Sequence, residues 1–253
     1  MAANGYPVVR NSTVTIKPPD NRVTQRQLVL TPQQISNGTR ECTRCLKRFQ
    51  VDPDTLVFFK KEECQYHPGR IQKTKTHARN IEQVYSCCGA ASNAVGCKVG
   101  ATHVHELNRT MDVEGYKRTL NNDKEPGIFG IDCEMVYTLK GSELARVTIV
   151  DHELKTVLDQ LVKPEYEVLD YNTEFSGLKK TDFINVKTAL PDVQKLLCKI
   201  INAKSIIVGH SLESDLIALK LLHTMVIDTA IVFPHAQGPP FKRALRVNTL
   251  MIR

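Results

Sequence analysis

Ile128-Phe129-Gly130-Ile131-Asp132-Cys133-Glu134-Met135-Val136 alternates around β-prone residues, and that period of two marks a strand. Residues two apart on a strand share a face, so Asp132 and Glu134 project together. Phe129, Ile131, Cys133 and Met135 take the other face, which suits a core. Two neighbouring carboxylates repel each other unless a cation binds both. Around this stretch the chain reads as a strand over 128–137, a turn at Lys140-Gly141-Ser142, a strand over 144–150 and another over 156–162, stopped by Pro164. Pro191 then opens an amphipathic helix with Val193, Leu196, Leu197, Ile200 and Ile201 at helical spacing. A short buried strand follows at 205–208, then a helix capped by Ser211 and running to about 223, then a strand over 225–233 ended by Pro234. A three-strand meander followed by a strand–helix–strand crossover predicts an α/β fold: a mixed sheet covered by helices.

The second informative stretch is Gly209-His210-Ser211-Leu212-Glu213-Ser214-Asp215. On a helix starting near Leu212, the side chains of Leu212, Leu216, Leu219 and Leu222 share one face, and Asp215 falls within that stripe. A carboxylate among leucines is costly unless it is paired or binds metal. Glu213 and Lys220 lie together on another face and are expected to be an exposed pair. Asp228 is expected to be a structural or supporting carboxylate of the last strand.

Ahead of this unit the texture is different. Six of the eight cysteines fall between Cys42 and Cys97. The first twelve residues lack the charged start and apolar core of a secretory signal, so the thiols are expected to be reduced and to ligate metal. The candidates are Cys42, Cys45, Cys64, His67, Cys87, Cys88 and Cys97, with His103 or His105 as the eighth. Eight thiolate or imidazole ligands fill two tetrahedral zinc sites, and closed structural sites of this kind leave no position for catalysis. So few large apolar residues in about 65 positions bury too little surface to fold without metal. Phe49, Phe58, Phe59 and Tyr66 are expected to pack around these sites rather than stack on bases. The domain reading is a loose arm over 1–40, interrupted by prolines; the Cys/His unit over 41–107; a linker over 108–125, part of which can pack on the second unit; and the carboxylate unit over 126–253.

The 253 residues are 42% hydrophobic and 24% charged, an ordinary globular composition, and no apolar run approaches the ~18 residues that mark a membrane span. Residues 1–125 hold 19 Lys and Arg against 12 Asp and Glu, whereas 126–253 hold 15 of each. A basic half beside a neutral half favours a polyanionic partner, nucleic acid before an acidic membrane surface.

The Cys64-Gln65-Tyr66-His67-Pro68-Gly69, Cys87-Cys88-Gly89 and Gly96-Cys97 pieces resemble the zinc-binding CHORD type of module. By that similarity the zinc ligands are Cys42, Cys45, Cys64, His67, Cys87, Cys88, Cys97 and His103. The 129–136 and 208–216 stretches resemble the DEDD superfamily of 3′-to-5′ exonucleases, and with the Cys/His segment in front the resemblance narrows to the RNA exonuclease 1 homologue and GOR-antigen group. That resemblance covers about residues 41–253. It implies a ribonuclease-H-like fold, with Asp132, Glu134 and Asp215 as catalytic ligands of Mg²⁺ or Mn²⁺ in two-metal phosphodiester hydrolysis, and two structural Zn²⁺. It also implies single-stranded RNA 3′ ends as substrate and a nuclear setting, with the cytoplasm as a second compartment. A protein partner for the Cys/His unit is a further expectation, and a membrane is not. The family's third motif, a His followed by an Asp after the last strand, has no counterpart between Pro234 and Arg253, where His235 comes too early. The resemblance therefore implies a C-terminally truncated exonuclease fold with weakened catalysis. The alternative is an inert RNA- or protein-binding module that uses the basic first half.

Overall fold

A computed structural model describes residues 4–10, 13–16, 30–75, 81–106, 113–121, 123–238 and 241–245. In chain order the elements are β1 (Val8–Arg10), β2 (Thr13–Thr15), α1 (Pro32–Ser36), β3 (Thr39–Glu41), β4 (Arg48–Gln50), β5 (Cys64–Tyr66), β6 (Ile71–Lys75), β7 (Ile81–Tyr85), β8 (Lys98–Gly100) and β9 (Lys117–Arg118). There follow β10 (Ile128–Thr138), β11 (Gly141–Asp151), β12 (Thr156–Leu161), β13 (Val168–Asp170), α2 (Thr173–Ser176), α3 (Leu190–Ile200), β14 (Ile206–Gly209), α4 (Glu213–Ala218), β15 (Leu221–Leu222), β16 (Val226–Asp228) and α5 (Thr229–Val232). None of the described helices is long and apolar enough to cross a membrane.

The predicted α/β fold class is what the chain forms. The main sheet runs β12-β11-β10-β14-β16, with β13 also on β10. β12, β11 and β10 are antiparallel, whereas β10–β14 and β14–β16 are parallel. The parallel pairs need crossovers, which α3 and α4 supply. Val193, Leu197 and Ile201 of the helical stripe, Ile131 and Cys133 of β10, and Leu212, Leu216 and Leu219 bury one core between them.

The register of β10 on β11 shifts between Glu134 and Met135. Before this bulge Ile131 and Cys133 are buried; after it Val136 and Thr138 are. The residue skipped there is Ala145 of β11, and β10 itself keeps its period of two: Ile131, Cys133 and Met135 face the main core, while Val136, on the face of Asp132 and Glu134, packs with Ala145 and Leu178 in a smaller cluster.

Several local expectations change. The expected strand over 225–233 is β16 followed by a helical turn, because the Asp228 side chain caps that turn on the N–H of Ala230 at 2.8 Å. The helix after Ser211 ends at Ala218, and Ser211 does not cap it; Ser211 holds φ +57° and the helix begins beyond Leu212. Within the expected loose arm, Tyr6 is buried in the main core at 1% exposure. Part of the 108–125 segment packs on the second unit, the option left open for it: β9 pairs in parallel with β15. The 107–112 part of that linker, and 17–29 of the arm, lie outside the described residues.

Candidate metal centres and the carboxylate site

The Cys/His unit is a set of two-stranded ladders around a small buried apolar centre, Phe49, Val51 and Phe58 beside Cys42 and Cys64. Phe49 and Phe58 stack at 5.2 Å, as expected of packing residues, while Phe59 is exposed. The structure separates the eight predicted ligands into two quartets: Cys42, Cys45, Cys64 and His103, then His67, Cys87, Cys88 and Cys97. In each, the ligand atoms lie within 4.8 Å of one another. Sulfur atoms of Cys42 and Cys64 are 3.6 Å apart, as are those of Cys87 and Cys97. A disulfide would hold them at ~2.0 Å. Thiolates about 2.3 Å from one tetrahedral zinc stand roughly 3.8 Å apart, so the spacing fits that ion.

The β5–β8 ladder decides the partition. Cys64 pairs with Gly100 at one end, and Tyr66 pairs with Lys98 at the other. Cys64 therefore meets the first quartet, while His67 and Cys97, just past the other end, meet the second. The close backbone approach at this end requires glycine: a Cβ on Gly96 would lie 2.2 Å from the Tyr66 nitrogen, and one on Gly69 would lie 2.4 Å from the Cys87 nitrogen. His103 turns Nδ1 to Cys45 sulfur at 3.3 Å, whereas His105 sets Nε2 3.2 Å from the Leu139 carbonyl. That resolves the choice between the two histidines. His67 is oriented by the Ala94 carbonyl, 3.2 Å from its Nε2. Burial opposes ionisation of Cys42, yet N–H groups of Cys45, Val104 and Arg44 directed at its sulfur bring its thiol below the ordinary value. The first quartet is mostly buried; all three cysteines of the second are exposed.

This unit is joined to the sheet by Arg44, which lies between two ligands of the first quartet. Its guanidinium reaches Asp170 at 2.6 Å and lies over the rings of Tyr66 and Tyr137, 4.9 Å and 5.0 Å from their centroids. Burial would lower its pKa, but the Asp170 carboxylate outweighs that and raises it. Tyr137 belongs to β10, the strand that carries Asp132 and Glu134.

On β10, Asp132 lies opposite Thr148 and Glu134 opposite Arg146. β14 pairs with β10 only through Gly130, and β13 joins at Tyr137. Between those partners one edge of β10 is open, and Asp215 from α4 enters there: its Oδ1 accepts the Cys133 N–H at 2.9 Å. A helix residue thus completes a hydrogen bond that the sheet leaves unmade. Asp215 is 6% exposed, so the sequence reading of a carboxylate within the leucine stripe holds. Burial, then the Asp132 charge, pushes Asp215 up to about 7. Desolvation also raises Asp132, and raises Glu134 with help from Asp132 and against Arg146. Burial opposes the charge of all three acids, and Asp132 adds to this at both Glu134 and Asp215, an electrostatic setting that a divalent cation would relieve. They are less tightly drawn together than the thiols: among the described residues, only the two Cys/His quartets have all their ligand atoms within 4.8 Å.

Glu213 corrects the sequence reading. It is 2% exposed and pairs with Lys242 at 2.5 Å, not with Lys220 on an open face. Lys220 has already left the helix, at φ +47°, so it does not stand two turns above Glu213. Asp228 has the supporting role expected of it, and more fully: it accepts N–H groups of Ser211 at 2.8 Å, Leu212 at 3.2 Å and Ala230 at 2.8 Å, and the Tyr6 hydroxyl at 2.8 Å. Tyr6 had no signal in the sequence beyond its being aromatic.

Residues 40–101 match the family model described as the RNA exonuclease 3 middle domain, over the same stretch whose spacing resembles a CHORD-type module. The chain is 44% identical over 213 residues to exonuclease GOR of Pan troglodytes, covering 83% of this chain and 31% of that protein. It is 44% identical over 214 residues to the human RNA exonuclease 1 homolog, covering 83% of this chain and 17% of that one. Among solved structures, the Neurospora crassa Pan2 catalytic unit (protease and nuclease domain) aligns with a TM-score of 0.43 and 17% identity over 72% of this chain and 37% of that one. The chain thus spans less than a third of the length of these two relatives. It is a homologue of the GOR and RNA exonuclease 1 group, related to RNA exonucleases, with an RNA exonuclease 3 middle domain in front of its carboxylate sheet.

Proposed function

We propose that this chain acts on RNA as a 3′-to-5′ exonuclease, with Asp132, Glu134 and Asp215 holding Mg²⁺ or Mn²⁺. The observation that carries this is the Asp215 carboxylate, buried and bonded to the Cys133 N–H between the two strand acids. Hard oxygen donors suit those ions. Bound there, the ions would activate water and stabilise the leaving 3′ oxygen of a phosphodiester. The chain's part is to hold three carboxylates at one sheet edge and to position Asp215 through the Cys133 amide. The name of one relative, RNA exonuclease 1 homolog, supports RNA as substrate.

The two quartets hold zinc and serve structure. A time course on 3′-labelled single-stranded RNA with Mg²⁺ or Mn²⁺ tests the enzymatic reading, and activity that survives Asp132→Asn unchanged would rule it out. A second reading rests on the basic excess of residues 1–125: the Cys/His unit holds RNA without cutting it. RNA affinity that does not fall from low to high salt would contradict it.

A further inference from the structure

The segment before the Cys/His unit reaches the far end of the chain. Tyr6 lies in the main core with Leu212 and Leu216, and its hydroxyl donates to Asp228 Oδ2 across 222 positions of sequence. The same carboxylate binds the N–H groups of Ser211 and Leu212, the turn from which α4 starts. That turn is strained, because Ser211 is held at φ +57°, which a serine rarely adopts unsupported. Just before it, Gly209 lies so close to β10 that an added Cβ would sit 3.1 Å from the Ile131 carbonyl. α4 is six residues long, too short to set its own direction. Its placement therefore comes from tertiary contacts: Leu212 and Leu216 packed in the main core, Asp228 at the entry and the Asp215–Cys133 bond within it. Tyr6 is also near enough to Asp215 and Glu213 for their charges to oppose its ionisation, after burial and Asp228 itself.

We propose that Tyr6 is a positioning residue of the carboxylate site: its hydroxyl holds Asp228, Asp228 holds the 211–212 turn, and the turn fixes where Asp215 meets β10. This rests on the reading of Asp132, Glu134 and Asp215 as metal ligands. On that basis Tyr6, ahead of the Cys/His unit in the chain, is part of the nuclease site.

The test uses the full chain with its zinc sites loaded, and Tyr6→Phe, which keeps the ring in the core and removes only the hydroxyl. Two measurements are made: Mn²⁺ affinity by electron paramagnetic resonance, and hydrogen exchange at the Ser211 and Leu212 amides. The expected result is a loss of Mn²⁺ affinity of about tenfold, the usual effect of removing a group that orients a ligand. Faster exchange at 211–212 should accompany it, with exchange in β11 and α3 unchanged. Asp228→Asn should give the same losses, and the double variant should lose no more than either alone. Asp215→Asn is the control for the underlying reading. If it abolishes Mn²⁺ binding while Tyr6→Phe leaves affinity and exchange as they were, the positioning role is overturned and the metal site stands. If Asp215→Asn leaves Mn²⁺ binding intact, or the unaltered chain binds none, the carboxylate reading falls and this proposal falls with it.

Discussion

Asp215 and Cys133, 82 residues apart, are joined at 2.9 Å by a bond from a strand N–H to a helix carboxylate. The bond exists because β14 stops pairing with β10 at Gly130, leaving the next stretch of that edge without a strand. The sheet's own incompleteness makes the opening into which the third acid fits.

This acid makes stability depend on pH. Its folded-state pKa is about 7 against an ordinary 3.8, so the folded chain keeps a proton that the unfolded chain releases. Without a divalent cation, the stability from this group is complete below about pH 4, declines as pH rises, and is lost above about pH 7. At about 1.4 kcal/mol per pKa unit the loss is on the order of 4 kcal/mol. Thermal melts in Mg²⁺-free buffer should show Tm falling between pH 5 and 7.5, and added Mg²⁺ should restore it. Asp215→Asn should remove both the fall and the restoration, and should melt higher than the unaltered chain at pH 7.5 without Mg²⁺.

Elemental analysis should find two zinc per chain. Release to a mild chelator should be biphasic, the faster phase belonging to the quartet with three exposed cysteines. Cys97→Ser should remove the fast phase and Cys64→Ser the slow one. A single phase, or much less than two zinc, would contradict the assignment.

Arg44→Ala should separate the Cys/His unit from the sheet, since it leaves Asp170 without its partner and two tyrosine rings without their cation. A loss of about 2–4 kcal/mol is expected in denaturant unfolding. Arg44→Lys should recover only part of it, because an ammonium cannot lie flat between two rings.

Gly96→Ala should disrupt the second quartet while sparing the first, because the new Cβ would collide with the Tyr66 backbone. The measured outcome should be one zinc per chain instead of two, with the slow release phase unchanged. Retention of both ions would show that the β5–β8 ladder can yield there.

Much of this protein was legible along the chain. The period of two around Asp132 and Glu134 and the leucine spacing that made Asp215 anomalous rest on neighbours a few residues apart, where backbone geometry alone dictates which side chains share a face, and the eight thiol and imidazole ligands could be counted from residue type. What the chain did not disclose depends on contacts between distant segments. The division of ligands into quartets follows from the register of β5 on β8. Glu213 read as an exposed residue because helical spacing matches it with Lys220, yet the helix ends too soon and Lys242 meets it instead. The tie from Tyr6 to Asp228 has no local signature at all, since periodicity carries no record of a hydrogen bond closed by the packing of the whole fold.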